Sequence, residues 1–92
     1  MTLTELRYVV AVAREQHFGR AADICFGSHP TLSVAIRKLE EELEVVLFER
    51  GPGSVRVTPI GMRIVEQAQR VVEEVAAIKE IRKVDTHTID IV

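Results

Sequence analysis

The sequence predicts a mainly α-helical fold built from three short helices, a short β-hairpin and one long helix. Apolar residues recur at intervals of three and four on both sides of a single dense turn signal, the Gly-Pro-Gly-Ser run at residues 51–54. Aromatic residues make up only 4% of the 92 residues, beside five glycines and three prolines, a composition that favours helices over an all-β fold. One domain is expected, and the length excludes a two-domain enzyme.

The first helix is predicted over residues 3–15 and a very short second helix over residues 20–25. Thr2 and Glu5 have the spacing of a capping box, in which each side chain accepts a hydrogen bond from a backbone donor of the first turn. The second helix carries small side chains, which let another helix cross closely over it.

The third helix is predicted from about Pro30 to Glu42, with Ser28 as its N-cap. Its apolar seam is expected to face the core and consists of Leu32, Ile36, Leu39 and Leu43. The outward faces then carry Thr31, Ser33, Val34, Arg37 and Lys38. Such a helix fits the major groove of DNA, where hydroxyls hold phosphates while Arg and Lys reach guanine edges. The acidic run at residues 40–42 is expected to be held away from the phosphates.

A hairpin is predicted from residues 46–50 and 55–58, which flank the turn signal. Arg50 and Arg56 lie at its base and flank. A hairpin beside a helix-turn-helix forms a wing, which can place cations along the DNA backbone or minor groove. The predicted fold is therefore a winged helix-turn-helix of three helices plus hairpin, over residues 1–58.

The long linker helix is predicted over residues 59–83, with Thr58 as N-cap and Pro59 in its first turn. It is roughly 37 Å long at 1.5 Å per residue, too long and apolar to be covered by the small domain alone. A partner helix is therefore expected along its heptad seam, which makes the chain a homodimer through Ile64, Ala68, Val71, Val75 and Ile78. Residues 84–92 lose the helical period, are β-prone, and could open a further effector-binding domain.

Charge gives no strong signal for a nucleic-acid partner. Twelve basic and fourteen acidic residues leave a net charge of −2, which argues mildly against such a partner. If the chain binds DNA, selected positions must do so.

Other chemistry finds little support in the sequence. The lone Cys25 excludes an internal disulfide and is expected to be buried and inert; the alternative is a redox switch. His17, His29 and His87 are scattered, so no metal or other cofactor site is predicted, and capping or loop roles are expected instead. No catalytic motif occurs, and no window approaches the roughly 18 apolar residues of a membrane span. A cytoplasmic protein that is not an enzyme is expected.

Five motifs occur in order along the chain at residues 18–22 (FGRAA), 30–33 (PTLS), 36–40 (IRKLE), 47–50 (LFER) and 58–61 (TPIG). In this order and spacing the chain resembles the N-terminal winged helix-turn-helix domain of LysR-type transcriptional regulators, from Met1 to about Lys83. It is most similar to the peroxide-responsive OxyR branch of that family, which acts in the oxidative-stress response.

The resemblance implies sequence-specific binding of double-stranded promoter DNA by a dimer, with tetramers in full-length proteins and an effector-sensing domain beyond this chain. It places contacts to bases and phosphates at His29, Pro30, Thr31, Ser33, Val34, Arg37 and Lys38, and wing contacts at Arg50 and Arg56. Two positions depart from the family: His29 stands where Gln is usual, and Gly27 where an apolar residue is usual. His29 cannot give the paired amide contact to adenine, and Gly27 is expected to loosen the turn. The alternative is a coiled-coil interaction module whose DNA binding is impaired by these two residues.

Overall fold

The computed structural model describes the backbone of residues 1–89 and the side chains of residues 1–83, and it confirms a mainly helical winged fold. The order of elements is α1 (Leu3–Glu15), α2 (Phe18–Ile24), α3 (His29–Leu43), β1 (Phe48–Gly51), β2 (Ser54–Val57) and α4 (Pro59–Ile89). Helices α1, α2 and α3 pack on one another, α4 packs along α1, and the two strands form an antiparallel hairpin.

Helix α1 begins at the predicted capping box. The Thr2 side chain accepts a hydrogen bond from the Glu5 amide, and the Glu5 carboxylate accepts one from the Thr2 amide. Helix α2 begins two residues earlier than predicted because His17 is its N-cap: the imidazole Nδ1 accepts from the Arg20 amide at 3.1 Å. The capping role expected for the scattered histidines is therefore confirmed at His17.

Helix α3 matches its prediction and supplies the centre of the core. Ser28 is the N-cap, and the seam residues Leu32, Ile36 and Leu39 have no exposed surface. They pack with Val9 and Val12 of α1, with Phe18 and Ala21 of α2, and with Leu47 and Phe48 at the start of the hairpin. Burial of the seam fixes which face of α3 is turned outward.

The hairpin is shorter at its start than predicted. Strand β1 begins at Phe48, because the backbone of Leu47 is occupied elsewhere: its amide donates to the Glu40 carboxylate at 2.7 Å, and its carbonyl accepts from the Thr58 amide at 2.9 Å. The strand register pairs Glu49 with Arg56 and Arg50 with Val55. Glu40 thus joins the end of α3 to the base of the wing.

Helix α4 starts where predicted and runs further. The Thr58 hydroxyl accepts from the Gly61 amide at 3.0 Å and donates to the Val46 carbonyl at 2.6 Å. A Cβ at Gly61 would collide with the Leu47 carbonyl, so the first turn of α4 lies against the backbone of the hairpin base.

The prediction of a β-prone segment after residue 83 is wrong as far as Ile89, because the helix continues to that residue. Nothing between residues 62 and 89 is Gly or Pro, and each further residue adds one backbone hydrogen bond to an existing helix. The last three residues of the predicted tail lie outside the described part. Within the described part, no helix combines the length and apolar character that crossing a membrane requires.

Candidate nucleic-acid interface

Helix α3 presents one continuous exposed surface, which we call the outward face: Thr31, Val34, Arg37 and Lys38. Because Leu32, Ile36 and Leu39 are fully buried, residues on the opposite side of the helix must face solvent. Val34 is 68% exposed and lies in the middle of this surface, so an apolar side chain separates the hydroxyl of Thr31 from the two cations. Ser33 is half-buried at its edge.

The first turn of α3 is arranged by its cap. Ser28 Oγ accepts from the Thr31 amide at 3.2 Å and lies 2.8 Å from Thr31 Oγ1, so the two hydroxyls share a hydrogen bond. Pro30 is exposed beside them. Helix N-termini carry amide donors without partners in the helix and favour anionic groups, so this turn is suited to a phosphate.

His29 is held by an aromatic contact that the sequence did not predict. Its ring stacks on Phe18 of α2, with centroids 5.0 Å apart and planes at 21°. Phe18 is buried and His29 exposed, so one face of the imidazole is covered while its edge is accessible. The contact with the buried Phe18 ring therefore fixes the position of the His29 imidazole beside the outward face.

The two wing arginines lie on opposite faces of the hairpin. Side chains alternate along a strand, so Arg50 shares a face with Phe48 and its partner Val55, whereas Arg56 shares the other face with Glu49. Arg50 reaches α3, where Nη1 donates to Ser33 Oγ at 3.1 Å and Nη2 lies 3.9 Å from a Glu40 carboxylate oxygen. The Arg50 guanidinium carbon also lies 4.9 Å from the Phe18 ring centroid. The structure therefore brings Arg50 to the edge of the outward face, at Ser33, and leaves Arg56 on the opposite face of the hairpin.

The three glutamates at residues 40–42 have different surroundings. Glu40 turns to the hairpin base, and Glu42 pairs with the Met1 ammonium at 2.6 Å. Glu41, however, lines the same shallow cleft as Arg37 and Lys38, because it follows them by one turn on the same side of α3. Its carboxylate partly offsets their positive potential.

The turn between α2 and α3 is closed by backbone hydrogen bonds. The Gly27 amide donates to the Ala22 carbonyl at 2.9 Å, and Phe26 adopts a left-handed conformation with φ of 56°. A Cβ at Gly27 would lie 3.2 Å from Leu32 Cδ1. The core side chain Leu32 thus fills the space that an apolar residue at Gly27 would use. Phe26 itself is 98% exposed.

Cys25 lies next to this turn and is partly buried. Burial raises the pKa of its thiol above the usual value, which reduces the thiolate available for reaction. Within the described residues, no group of three or more His, Cys, Asp or Glu side chains is placed to hold a metal ion.

The predicted dimerisation seam is not uniformly available to a partner. Ala68 is only 3% exposed and Ile64 packs against the core, so both are used within the chain. Val71 is 36% and Ile78 65% exposed, and Val75 is half-buried between them. The accessible part of the seam therefore begins at Val71, near the middle of α4, and continues to Ile78.

Phe18 and Glu40 are the two residues of this region that sequence reasoning did not assign to it. Both act through partners distant in the chain: Phe18 touches His29 and Arg50, and Glu40 touches Leu47 and Arg50. Both residues belong to motifs that the sequence did single out, but no local spacing links either residue to the wing.

Comparisons with known proteins agree with this geometry. The family described as "Bacterial regulatory helix-turn-helix protein, lysR family" matches residues 3–62. The DNA-binding transcriptional dual regulator OxyR of Escherichia coli K12 is 51% identical over 81 residues, which cover 88% of this chain and 27% of that relative.

Solved structures give the same result. A full-length OxyR variant from Pseudomonas aeruginosa superposes with a TM-score of 0.86 at 57% identity, over 91% of this chain and 28% of that one. The BenM_DBD/benA site 1 DNA complex superposes with a TM-score of 0.85 at 40% identity, over 94% of this chain and 97% of that one. The chain spans about a quarter of the length of the curated relatives it matches.

Proposed function

Because the chain belongs to the lysR family of bacterial regulatory helix-turn-helix proteins, we propose that it is the promoter-binding part of a transcriptional regulator and binds double-stranded DNA in a sequence-specific manner. The observation that carries this proposal is the outward face of α3. It is an exposed strip of two cations, one hydroxyl and one apolar side chain on a helix whose other side is locked into the core.

The dimensions and chemistry of α3 suit the major groove. A helix about 10–12 Å wide fits a groove about 12 Å wide, where Arg37 and Lys38 can donate to guanine and Val34 can touch a thymine methyl. Pro30, Thr31 and the first-turn amides face the phosphates in this arrangement, and His29 faces a base edge. Arg56 supplies the wing cation that follows the DNA backbone.

The proposal includes a homodimer through α4. Exposed Val71 and Ile78, with half-buried Val75, offer the partner an apolar strip, while Ile64 and Ala68 support it from within the chain. A twofold pair would read the two halves of an inverted repeat. Tetramers belong to the longer protein that the family resemblance implies.

The likeness to OxyR supports a narrower proposal. Relatives at about half identity are named as hydrogen peroxide-inducible genes activators, and the similarity lies in the part that would select promoters. We therefore assign the chain to a peroxide-responsive cytoplasmic regulator whose sensing lies outside these 92 residues.

The test compares the affinity of the chain for a labelled inverted-repeat duplex with its affinity for a scrambled duplex. Fluorescence anisotropy at low salt measures both affinities. Replacing Arg37 and Lys38 together with Ala should weaken binding to the repeat by at least about tenfold, since each good base contact contributes roughly 1–3 kcal/mol. The matched control replaces Arg70 and Lys79, two exposed cations of α4, with Ala and removes the same charge. The proposal is wrong if both double variants lose the same affinity, or if the unsubstituted chain does not prefer the repeat.

The coiled-coil alternative is not favoured by the comparisons. It makes a separate prediction, because an impaired domain would not bind any duplex until His29→Gln restored the usual residue. Under the proposed function, His29→Gln changes only the preferred base.

A further inference from the structure

Arg50 contacts three residues on two other elements of the domain at once. Its guanidinium donates to Ser33 of α3, faces the Glu40 carboxylate at the far end of α3, and lies over the Phe18 ring of α2. Only 30% of the Arg50 side chain is exposed. Glu40 in turn accepts from the amides of Leu47 and Phe48, at 2.7 and 3.3 Å, so it is fixed to the base of the hairpin. The contacts form a closed loop from wing to helix and back to wing.

The direction of the Ser33 hydrogen bond has a chemical consequence. A guanidinium has only donors, so Ser33 Oγ must accept, and its single hydrogen remains to be donated elsewhere. Accepting from a cation strengthens the hydroxyl as a donor. Ser33 lies at the edge of the outward face, where the atoms of DNA that can receive this hydrogen are phosphate oxygens and the acceptor atoms of bases.

We infer that Arg50 is a positioning residue of the proposed DNA interface: it pins the wing to α3 and commits the Ser33 hydroxyl to donate to an acceptor atom of DNA. Arg50 acts through Ser33 and is not itself a phosphate contact. This inference rests on the proposed function. Arg56 is the comparison residue, because it lies on the opposite face of the same hairpin.

The first experiment needs no DNA. Unfolding by urea is measured for the unsubstituted chain, Arg50→Gln, Ser33→Ala and the double variant, all at one protein concentration. The two substitutions should be non-additive by about two- to fivefold in the unfolding equilibrium constant, the range for a partly exposed charged contact. Additive effects would show that the Arg50–Ser33 contact, which we call the tether, does not stabilise the fold. This result would not depend on whether the chain binds DNA.

The second experiment measures the salt dependence of binding to the inverted-repeat duplex. Removing a cation that contacts a phosphate lowers the slope of log K against log salt by about 0.9 per contact. Arg50→Gln should weaken binding and leave this slope unchanged, whereas Arg56→Gln should lower it. Arg50→Lys should not restore affinity, because a point charge lacks the planar fork that reaches Ser33 and covers Phe18. A lowered slope in Arg50→Gln that Arg50→Lys restores would overturn the inference.

A third measurement identifies the acceptor. Ser33→Ala should weaken binding to the repeat and the scrambled duplex by the same factor if Ser33 donates to phosphate, and to the repeat alone if it donates to a base. Unchanged affinity for both duplexes would overturn the donor role of Ser33. Absence of any duplex binding by the unsubstituted chain would instead refute the proposed function, while the urea experiment would still report on the tether.

Discussion

Glu44, the C-cap residue that follows α3, should be replaceable by glycine with a gain in stability. Its backbone is left-handed, with φ of 56° and ψ of 40°, and the Glu44 and Val45 amides close the helix by donating to the carbonyls of Glu41 and Glu40. A left-handed conformation costs an L residue roughly 1–2 kcal/mol, and glycine avoids this cost. Because glycine also loses roughly 0.5–1 kcal/mol more backbone entropy on folding, the net gain expected for Glu44→Gly is about 0.5–1 kcal/mol.

Thermal unfolding followed by circular dichroism measures this gain. For a domain of this size, about 1 kcal/mol corresponds to roughly 4–8 °C, so Glu44→Gly should unfold about 2–8 °C higher at matched protein concentration. Glu44→Gln is the matched control: it removes the same charge from the helix C-terminus but keeps the strained backbone, and in high salt it should unfold close to the parent. Equal shifts for the two variants, or no shift for Glu44→Gly, would refute the argument from backbone conformation.

Three further outcomes are expected. Leu32→Ala should lower the free energy of unfolding by about 2–5 kcal/mol because Leu32 is fully buried, whereas Val34→Ala on the exposed side should stay within about 0.5 kcal/mol in the same urea titration; similar losses at both sites would contradict the described packing. Cys25 should be alkylated severalfold more slowly in the folded than in the urea-unfolded chain at pH 8, because burial raises the pKa of its thiol, and equal rates by mass spectrometry would favour a reactive thiol. The hydrogen bond to Glu42, with a further contribution from the negative charge of Glu42, raises the pKa of the Met1 ammonium above its ordinary value of 8.0. The stabilisation that this contact gives is therefore fully present below pH 8 and is lost as pH rises through the folded-state pKa. Urea midpoints should fall more between pH 7 and pH 10 in the parent than in Glu42→Gln, and parallel curves would count against the contact.

The sequence predicted those parts of the fold that depend on neighbours in the chain. Thr2, Ser28 and Thr58 indicated helix starts correctly because a cap and its amide lie within three residues of each other. The apolar seam of α3 predicted the outward face for the same reason, since helical spacing alone decides which side chains oppose Leu32.

What the sequence could not give depends on tertiary contacts. Arg50 was predicted to be a wing cation, but its inward direction follows from the strand register and from partners at least ten residues away. The predicted start of α2 is too late because Phe18 and Gly19 interrupt the apolar period, while the cap is the imidazole of His17. The sequence does not predict the continuation of α4 to Ile89, because residues 84–89 include weak helix formers, although a helix already begun extends at little cost.

The contact between Gly61 and the hairpin base determines more than local packing, because it lies at the root of a 31-residue helix. At 1.5 Å per residue the proposed partner contact around Val75 lies about 21 Å along the helix from Gly61, so tilting the root by about 5° displaces that contact by about 2 Å. In the proposed twofold pair this displacement separates the two reading helices along the duplex, where about 34 Å makes one full turn. Two ångströms then equals roughly 20° of rotation around the DNA axis. In that pair, the close approach allowed by Gly61 therefore determines the rotational angle around the DNA axis between the two half-sites that the dimer can bind at once.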